Sequence, residues 1–481
     1  MARSRNTINV KEGLGGASAS FDKAAGVIGI SSIVPSGIVT ISSLDEIEKK
    51  FGEGPLRDFL VDAFSFESPG VCYVKAIQGS INGVLNPIIR NERNRGLGTI
   101  NVSGNPRNDY DIVIEIIQDG GLNNGGFQVV VDDRLIVKPT TIPEDGIYQL
   151  GNTGITLTFN TTAGDFEEGD IFSFSTTAPS ATNEDLLNAL DELLAEKKRF
   201  RLVAVASVTR VGFWSAFDTR LGLEVAKNRF LHGITLGRDK RDNETIDEYV
   251  NAMTNTERGT IQCKRVGVVL SYAAIVDAQN GNTDIRNVGG KYLGWLLWHK
   301  IQESPGKTEN GAIGGILDVR RYDEGGGKVA ISGGQLDLLD NAGFLTITTY
   351  FEKDGIYFTS GRMLVDMSSD FAQIQNRAVM DKACTKVAEA LFVLFQKEVR
   401  FSPSGEIAGI KSLESVGQRP LNSMSNPLVN EISSGTFIIP TNQNILSDKL
   451  LRYFVKIIPL GYIHTLEGEI SFYNPFISGG K

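Results

Sequence analysis

The chain has 481 residues, of which 41% are hydrophobic and 22% are charged, and a net charge of −9 at neutral pH. This length predicts several domains, and the balance of residue types is that of a folded, soluble protein. The acidic balance argues against general nucleic-acid binding, which needs a basic surface. The most apolar late stretch, residues 450–463, is interrupted by Arg452, Lys456 and Pro459, so we expect no direct membrane insertion.

Residue usage also argues against catalytic chemistry. The three cysteines, Cys72, Cys263 and Cys384, stand apart in apolar surroundings and are interpreted as buried thiols of a protein made in a reducing cytoplasm. None of the three histidines has a partner at metal-ligand spacing, and no GxGxxG or GxSxG motif is present. Residues 305–308, Pro-Gly-Lys-Thr, lack the first glycine of a phosphate-binding loop. We therefore predict no catalytic residue, no cofactor and no metal.

The first 20 residues are interpreted as an extended arm. Apolar and polar residues alternate before a glycine-rich stretch that cannot pack much, in the run Thr7, Ile8, Asn9 and Val10. A free strand gains little by itself, but one added to a neighbour's sheet gains a row of hydrogen bonds. The pattern thus predicts an inter-subunit arm.

The next three segments predict an α/β core with an insertion. Residues 21–90 and 181–340 alternate strand-like with helical patterns, which favours parallel strands joined by crossovers. Residues 91–180 are rich in turn signals and short strands, and are interpreted as an all-β outer domain. Within the second core segment, residues 304–334 are interpreted as a glycine-rich loop region.

Residues 341–465 predict a C-terminal α+β module. A hairpin is expected over residues 343–360 and a long helix over 373–401, with Phe392 and Phe395 in the core. Residues 466–481 are interpreted as a second arm, whose apolar side carries Leu466, Gly468, Ile470 and Phe472. The fold class is therefore a multidomain α/β protein with extended terminal arms.

These features resemble the sheath subunits of contractile phage tails and related contractile injection machines. The resemblance rests on Phe51-Gly52 with Gly54-Pro55-Leu56, on the stretch Cys72-Tyr73-Val74-Lys75-Ala76, and on the closing order of hairpin, helix and terminal strand. The helix lacks the double arginine of many relatives, and the N-terminal arm lacks their Pro-Gly-Val-Tyr-Val opening. The chain thus resembles a divergent branch of the family.

The resemblance implies a structural role. Such subunits stack as hexameric rings around an inner tube, exchange arms between neighbours, and contract to drive the tube through a target envelope. It implies baseplate and tail-terminator partners, assembly in the bacterial cytoplasm, and a place in a virion tail or released particle. The implied arm-accepting hairpin contains Leu345, Ile347, Phe351, Ile356 and Phe358, and the implied tube-facing helix, over residues 404–416, contains Glu406, Lys411 and Glu414.

Two other hypotheses about the function stay open. Another self-assembling structural protein, such as a capsid or surface-layer subunit, would also carry exchangeable arms. A parallel α/β core also occurs in nucleotide-binding enzymes, although the usual phosphate motifs are absent.

Overall fold

A computed structural model describes residues 21–67, 70–441 and 443–464. The chain divides into two compact units, Met1–Glu389 and Ala390–Lys481. The predicted mixed α/β class with several sheets is confirmed. Within the described residues, every helix is too short or too polar to cross a lipid bilayer.

The described part of the first unit begins with strands and short helices. The elements are β1 (Ala24–Ile30), β2 (Val39–Ile41), α1 (Ile47–Phe51), α2 (Pro55–Ala63) and β3 (Val71–Ile77). Every residue of β1 is buried, as expected for a strand covered on both faces. Pro55 lies in the first turn of α2, where its missing N–H costs no hydrogen bond.

Residues 84–177 form two antiparallel sheets around a shared aromatic core. The strands are β4 (Val84–Leu85), β5 (Ile89–Arg90), β6 (Thr99–Gly104), β7 (Asp111–Gln118), β8 (Gly126–Val131), β9 (Arg134–Thr141), β10 (Ile147–Gln149), β11 (Ile155–Asn160) and β12 (Ile171–Thr177). One sheet has the order β4–β12–β7–β8–β9, and the other has the order β10–β11–β6. The rings of Phe127 and Phe159 lie 4.6 Å apart between them, and Phe166 meets Phe159 edge-on.

The chain then returns to the body of the first unit. The elements are α3 (Asn183–Ala195), β13 (Leu202–Val208), α4 (Val211–Glu224), β14 (His232–Leu236), α5 (Ile246–Asn251), β15 (Val266–Val269), β16 (Tyr272–Val276), β17 (Thr283–Asn287), α6 (Gly289–Trp298), β18 (Ile316–Val319), β19 (Arg321–Glu324), β20 (Gly327–Ala330), α7 (Gly333–Asn341), β21 (Phe344–Leu345), β22 (Ile347–Tyr350), β23 (Lys353–Phe358) and α8 (Ile374–Leu391). The region interpreted as a loop over residues 304–334 therefore contains three short strands. The start of α3 is capped, because the Asp185 N–H donates to Thr182 Oγ1 at 3.2 Å.

Seven described strands form the body sheet in the order β2–β3–β1–β13–β14–β15–β21. Neighbouring strands are parallel except for β2 and β3. Helices α1, α2 and α6 contribute buried side chains to a core on one face of this sheet, and α3, α4 and α5 contribute to a core on the other. The body is thus a three-layer arrangement that buries both faces of its sheet.

The first unit extends to Glu389, whereas the sequence predicted a boundary at residue 341. The reason is that Leu345 pairs with Val269 in the body sheet and that α8 is tied to the same body by a buried carboxylate. Asp381 accepts hydrogen bonds from His232 Nδ1 at 3.1 Å and from Arg265 at 3.2 Å. Burial lowers the pKa of His232 to about 4, so the ring is neutral and donates from Nδ1.

The second unit contains α9 (Ile410–Met424), β24 (Ser434–Ile438), α10 (Ile445–Asp448) and β25 (Phe454–Ile458). The predicted helix over residues 404–416 begins instead at Ile410, because Gly405 and Gly409 adopt left-handed backbone angles with φ of 82° and 74°. The predicted helix over residues 373–401 ends at Leu391. Phe392 and Phe395, predicted as core, are 72% and 73% exposed.

Candidate assembly interface

The second unit presents a two-stranded hairpin with one open face, on which large apolar side chains lie beside Thr436 and Lys456. Strands β24 and β25 are antiparallel, with Ile438 opposite Phe454 and Ser434 opposite Ile458. On this face Phe454 is 58% exposed and Ile458 is 60% exposed. Two large apolar side chains so exposed on one face of a short hairpin are typical of a surface that another chain covers.

Helix α9 packs closely on the opposite face of the hairpin. A Cβ added at Gly417 would lie 2.6 Å from Cγ of Phe437, and one added at Gly435 would lie 3.0 Å from Cβ of Leu421. Glycine at both positions therefore lets the helix approach the strands more closely than a side chain would permit. Phe437 is buried there and stacks on Tyr453, with ring centroids 5.0 Å apart.

This close approach brings two polar side chains of α9 to the outer edge of β24. Gln418 Nε2 donates to the Gly435 carbonyl at 2.8 Å, and the Phe437 N–H donates to Gln418 Oε1 at 2.8 Å. The Ile439 N–H donates to Glu414 Oε1 at 2.9 Å. A hydrogen bond from Lys411 and this backbone N–H lower the pKa of Glu414, which keeps the acceptor ionised.

The outer edge of β25 differs. Phe437 lies opposite Val455, and Gly435 lies opposite Ile457. Because Phe437 and Gly435 turn backbone groups away from β25, Val455 and Ile457 turn theirs away from β24. Within the described part of the chain, no backbone hydrogen bond joins these outward groups to a partner. The hairpin thus has one edge met by side chains and one open edge.

The predicted arm residues lie outside the described residues, both Thr7–Val10 and Leu466–Phe472. The predicted acceptor residues lie in the first unit. Four of them, Leu345, Ile347, Ile356 and Phe358, are buried, and Phe351 is fully exposed. Tyr292 packs edge-on against Phe358 at 5.0 Å, so the chain's own core covers most of this hairpin.

The predicted tube-facing residues lie in the second unit at two places. Glu406 precedes α9 in an exposed turn. Lys411 and Glu414 lie on α9 and form an ion pair at 2.7 Å, with the Lys411 side chain 88% exposed. Glu414 also holds the edge of β24, a contact that the sequence did not predict.

Sequence reasoning also missed β25 as part of an interface. The segment Phe454-Val455-Lys456-Ile457-Ile458 lies within residues 450–463, whose pattern indicated only an apolar stretch too interrupted by charges to enter a membrane. The available signal was its β-branched and aromatic content followed by Pro459, which is typical of a strand that ends at a proline.

A cleft in the first unit bears on the enzyme alternative. It lies at the carboxyl ends of β1, β13 and β14, encloses about 280 Å³, and is the place where this topology binds nucleotides in enzymes. Its charged lining includes Asp58, Asp62, Asp109 and Asp284. Burial raises the pKa of Asp284 to about 6, and Arg286 is already engaged by Asp62 at 2.7 Å and 2.9 Å. A phosphate would meet mainly carboxylates in this cleft, which disfavours nucleotide binding.

Comparison with known proteins gives the family. The family model described as DUF2586, N-terminal domain, matches residues 6–362, and the model described as DUF2586, C-terminal domain, matches residues 370–477. The chain belongs to the DUF2586 family. This DUF2586 chain is 24% identical over 153 residues to a Haemophilus phage HP1 (strain HP1c1) protein named "Putative tail sheath protein". The match covers 32% of this chain and 37% of that relative, so it spans well under half of the relative's length.

Solved structures extend the likeness to nearly the whole DUF2586 chain. The sheath complex of PVC, an extracellular contractile injection system, in its contracted state aligns with a TM-score of 0.53 and 9% identity, covering 98% of each chain. A chain of the anti-feeding prophage baseplate in its contracted state aligns with a TM-score of 0.51 and 12% identity, covering 99% of this chain and 98% of that one. At such low identity these likenesses show the fold. The resemblance to contractile sheath subunits is confirmed at that level.

Proposed function

We propose that this chain is the structural subunit of a contractile tail sheath, and that it polymerises as stacked hexameric rings around an inner tube. The observation that carries the proposal is the match of fold over nearly the full chain with the sheath complex of a contractile injection system. The open apolar hairpin of the second unit supports it independently, because a surface of this kind gains stability when a neighbour covers it.

The joints of this polymer are strands donated by the arms. The N-terminal arm with Ile8 and Val10 and the C-terminal arm with Leu466, Ile470 and Phe472 alternate apolar and polar residues, as a strand with one covered face requires. The open edge of β25 favours this hairpin as the acceptor over the hairpin of residues 343–360, whose apolar residues are mostly buried. One net hydrogen bond contributes about 0.5–1.5 kcal/mol, so an arm forming about five of them is a modest joint that many copies make strong.

The units then have separate roles. The parallel sheet of the first unit is the stiff body, and the two sheets of residues 84–177 are an insertion that faces outward. The second unit carries the tube-facing surface, with Glu406, Lys411 and Glu414, as well as the strand acceptor. Baseplate and tail-terminator proteins bind the ends of the polymer, which assembles in the bacterial cytoplasm before it becomes part of a virion tail or released particle.

Contraction is a switch between two packings of nearly rigid bodies. The arms keep neighbours connected while the bodies rotate, so the polymer shortens without dissociating. The free energy is stored in the extended packing held on the tube, which requires no nucleotide at the moment of firing. The acidic lining of the cleft at the strand ends, which disfavours nucleotide binding, agrees with a contraction that requires no nucleotide.

Electron microscopy of the purified chain tests the proposal. We expect ribbed hollow cylinders for the full chain and dispersed particles after deletion of residues 1–20. Closed shells or flat lattices would support a capsid or surface-layer subunit instead. A monodisperse monomer at high concentration would remove the proposal. For the tube-facing surface, Glu406→Lys combined with Lys411→Glu should abolish assembly on the tube protein while leaving arm exchange intact.

A further inference from the structure

The two long edges of the acceptor hairpin are unlike each other, although the strands are of equal length. Two outward backbone groups of β24, the Gly435 carbonyl and the Phe437 N–H, and the N–H of Ile439 just after it are bonded to the side chains of Gln418 and Glu414. The outward groups of β25 at Val455 and Ile457 have no backbone partner in the described chain. Both edges belong to the same compact unit.

We propose that Gln418 and Glu414 form an edge lock, which closes β24. Strands donated by other copies then add to the sheet from the β25 edge alone, the first pairing with β25 and a second with the first. This inference rests on the proposed function, since it assumes that arms are exchanged at this hairpin. It specifies which edge of the hairpin accepts the arm, which strand pairing alone does not specify.

The chemistry of Gln418 suits the lock. A carboxamide carries the same donor and acceptor as a peptide group, and here both are used at 2.8 Å on two backbone groups of one strand. Gln418 therefore takes the place of one residue of a neighbouring strand. Glu414 extends the closure by one more backbone group, the Ile439 N–H. Exposed strand edges pair indiscriminately unless they are covered in some such way.

The lock makes the two edges unequal for an incoming arm. An arm that joins β25 forms new hydrogen bonds without breaking any bond of the hairpin. An arm that joins the β24 edge must first displace three, so it gains three fewer new bonds than an arm at β25. Three net hydrogen bonds amount to a preference on the order of 100-fold for the β25 edge.

The apolar face of the hairpin favours the same edge. Phe454 and Ile458, the most exposed apolar residues of this face, both belong to β25. A strand on the outer side of β25 places its own apolar residues beside them, and the C-terminal arm offers Leu466, Ile470 and Phe472 at alternate positions. Because positions 417 and 435 are glycine and carry no side chain, α9 packs close enough to the hairpin for its own side chains to reach β24.

Disulfide trapping between two populations of the full chain tests the lock. One population carries a cysteine in an arm, Ile8→Cys or Gly468→Cys, and the other carries a cysteine on the hairpin. Thr436 on β24 and Lys456 on β25 are matched acceptor sites, because they lie directly opposite each other and both are exposed. The adjacent opposed pair, Ser434 and Ile458, covers a shift of register. A disulfide needs Cα atoms within about 7 Å, so it distinguishes the first neighbouring strand from the second.

We expect the Lys456→Cys chain to be trapped at least tenfold more than the Thr436→Cys chain. Opening the lock with Gln418→Ala and Glu414→Ala should raise trapping at Thr436→Cys to within about threefold of Lys456→Cys. The control, Ser415→Ala, changes an exposed α9 residue that bonds only within the helix at Ser412, and should leave the ratio unchanged. Equal trapping at both edges of the unaltered chain would overturn the lock but leave arm exchange standing. No trapping at either edge would remove the proposed arm exchange and the lock with it.

A second measurement covers the case in which the opened variant fails to fold. Amide hydrogen exchange of the otherwise unaltered chain lacking residues 1–20 should be slow at Phe437 and Ile439 and fast at Val455 and Ile457. On assembly of the full chain, Val455 and Ile457 should gain at least tenfold protection. Fast exchange at Phe437 in the unassembled chain would contradict a closed β24 edge.

Discussion

Replacing Gly417 with alanine should loosen α9 from the hairpin. The added Cβ would lie 2.6 Å from Cγ of Phe437, whereas carbon atoms normally rest about 3.5–4.0 Å apart, so the helix or the ring must move by roughly 1 Å. Overpacking of this kind costs about 1–3 kcal/mol, and the gain in helix propensity returns about 1 kcal/mol. The net expectation is a destabilisation of the second unit of up to about 2 kcal/mol.

The movement should change amide exchange at one position as well as the stability of the whole second unit. Gln418 is the next residue of the helix, and a displacement of roughly 1 Å stretches its 2.8 Å bonds to β24 beyond hydrogen-bond range. Amide exchange at Phe437 should therefore accelerate in Gly417→Ala. Gly222→Ala is the matched control, because Gly222 lies in helix α4 with open space at its Cβ position and should only gain helix propensity. Unchanged exchange at Phe437, with a second unit as stable as before, would refute the argument.

Three further predictions concern other parts of the chain. Burial lowers the pKa of His232 in the folded chain from an ordinary 6.5 to about 4, so between these values the unfolded chain binds a proton that the folded chain does not. The free energy of unfolding should therefore rise by roughly 3 kcal/mol as the pH rises from about 4 to 6.5. Denaturant titrations should show a weaker pH dependence for His232→Gln. Arg286→Gln leaves the buried carboxylate of Asp62 without its bidentate partner and should cost about 3–5 kcal/mol in thermal unfolding, whereas Arg321→Gln, in an exposed pair, should change little. Phe454→Asp should prevent polymerisation in sedimentation assays while leaving the monomer's stability nearly unchanged, since that side chain is mostly exposed; normal polymers would exclude the apolar face from the interface.

Local patterns were predictable where the deciding contacts are close in sequence. The cap at Thr182 and Asp185 depends on residues three apart, and the recurrent turn signals between residues 91 and 180 mark short strands that the structure contains. The helix end at Leu391 and the start at Ile410 were placed wrongly. There apolar spacing continued past the helix end, while left-handed glycines at 405 and 409 prevented an earlier start.

The amino-acid sequence alone sufficed to predict the mixed α/β class and the resemblance to sheath subunits, because hydrophobic periodicity and residue order are local properties that need no folded context. The alternation of apolar and polar residues over 7–10 and 466–472 is also a property of the sequence, and the arms that it indicates stay a prediction. Tertiary packing was needed to show that α8 belongs to the first unit, through the buried Asp381, and that α9 bonds to one edge of the hairpin. Both outcomes depend on contacts between residues far apart or on separate elements, such as His232 with Asp381 and Gln418 with Phe437. Such pairings are set by how elements pack, and the periodicity within a single element does not predict them.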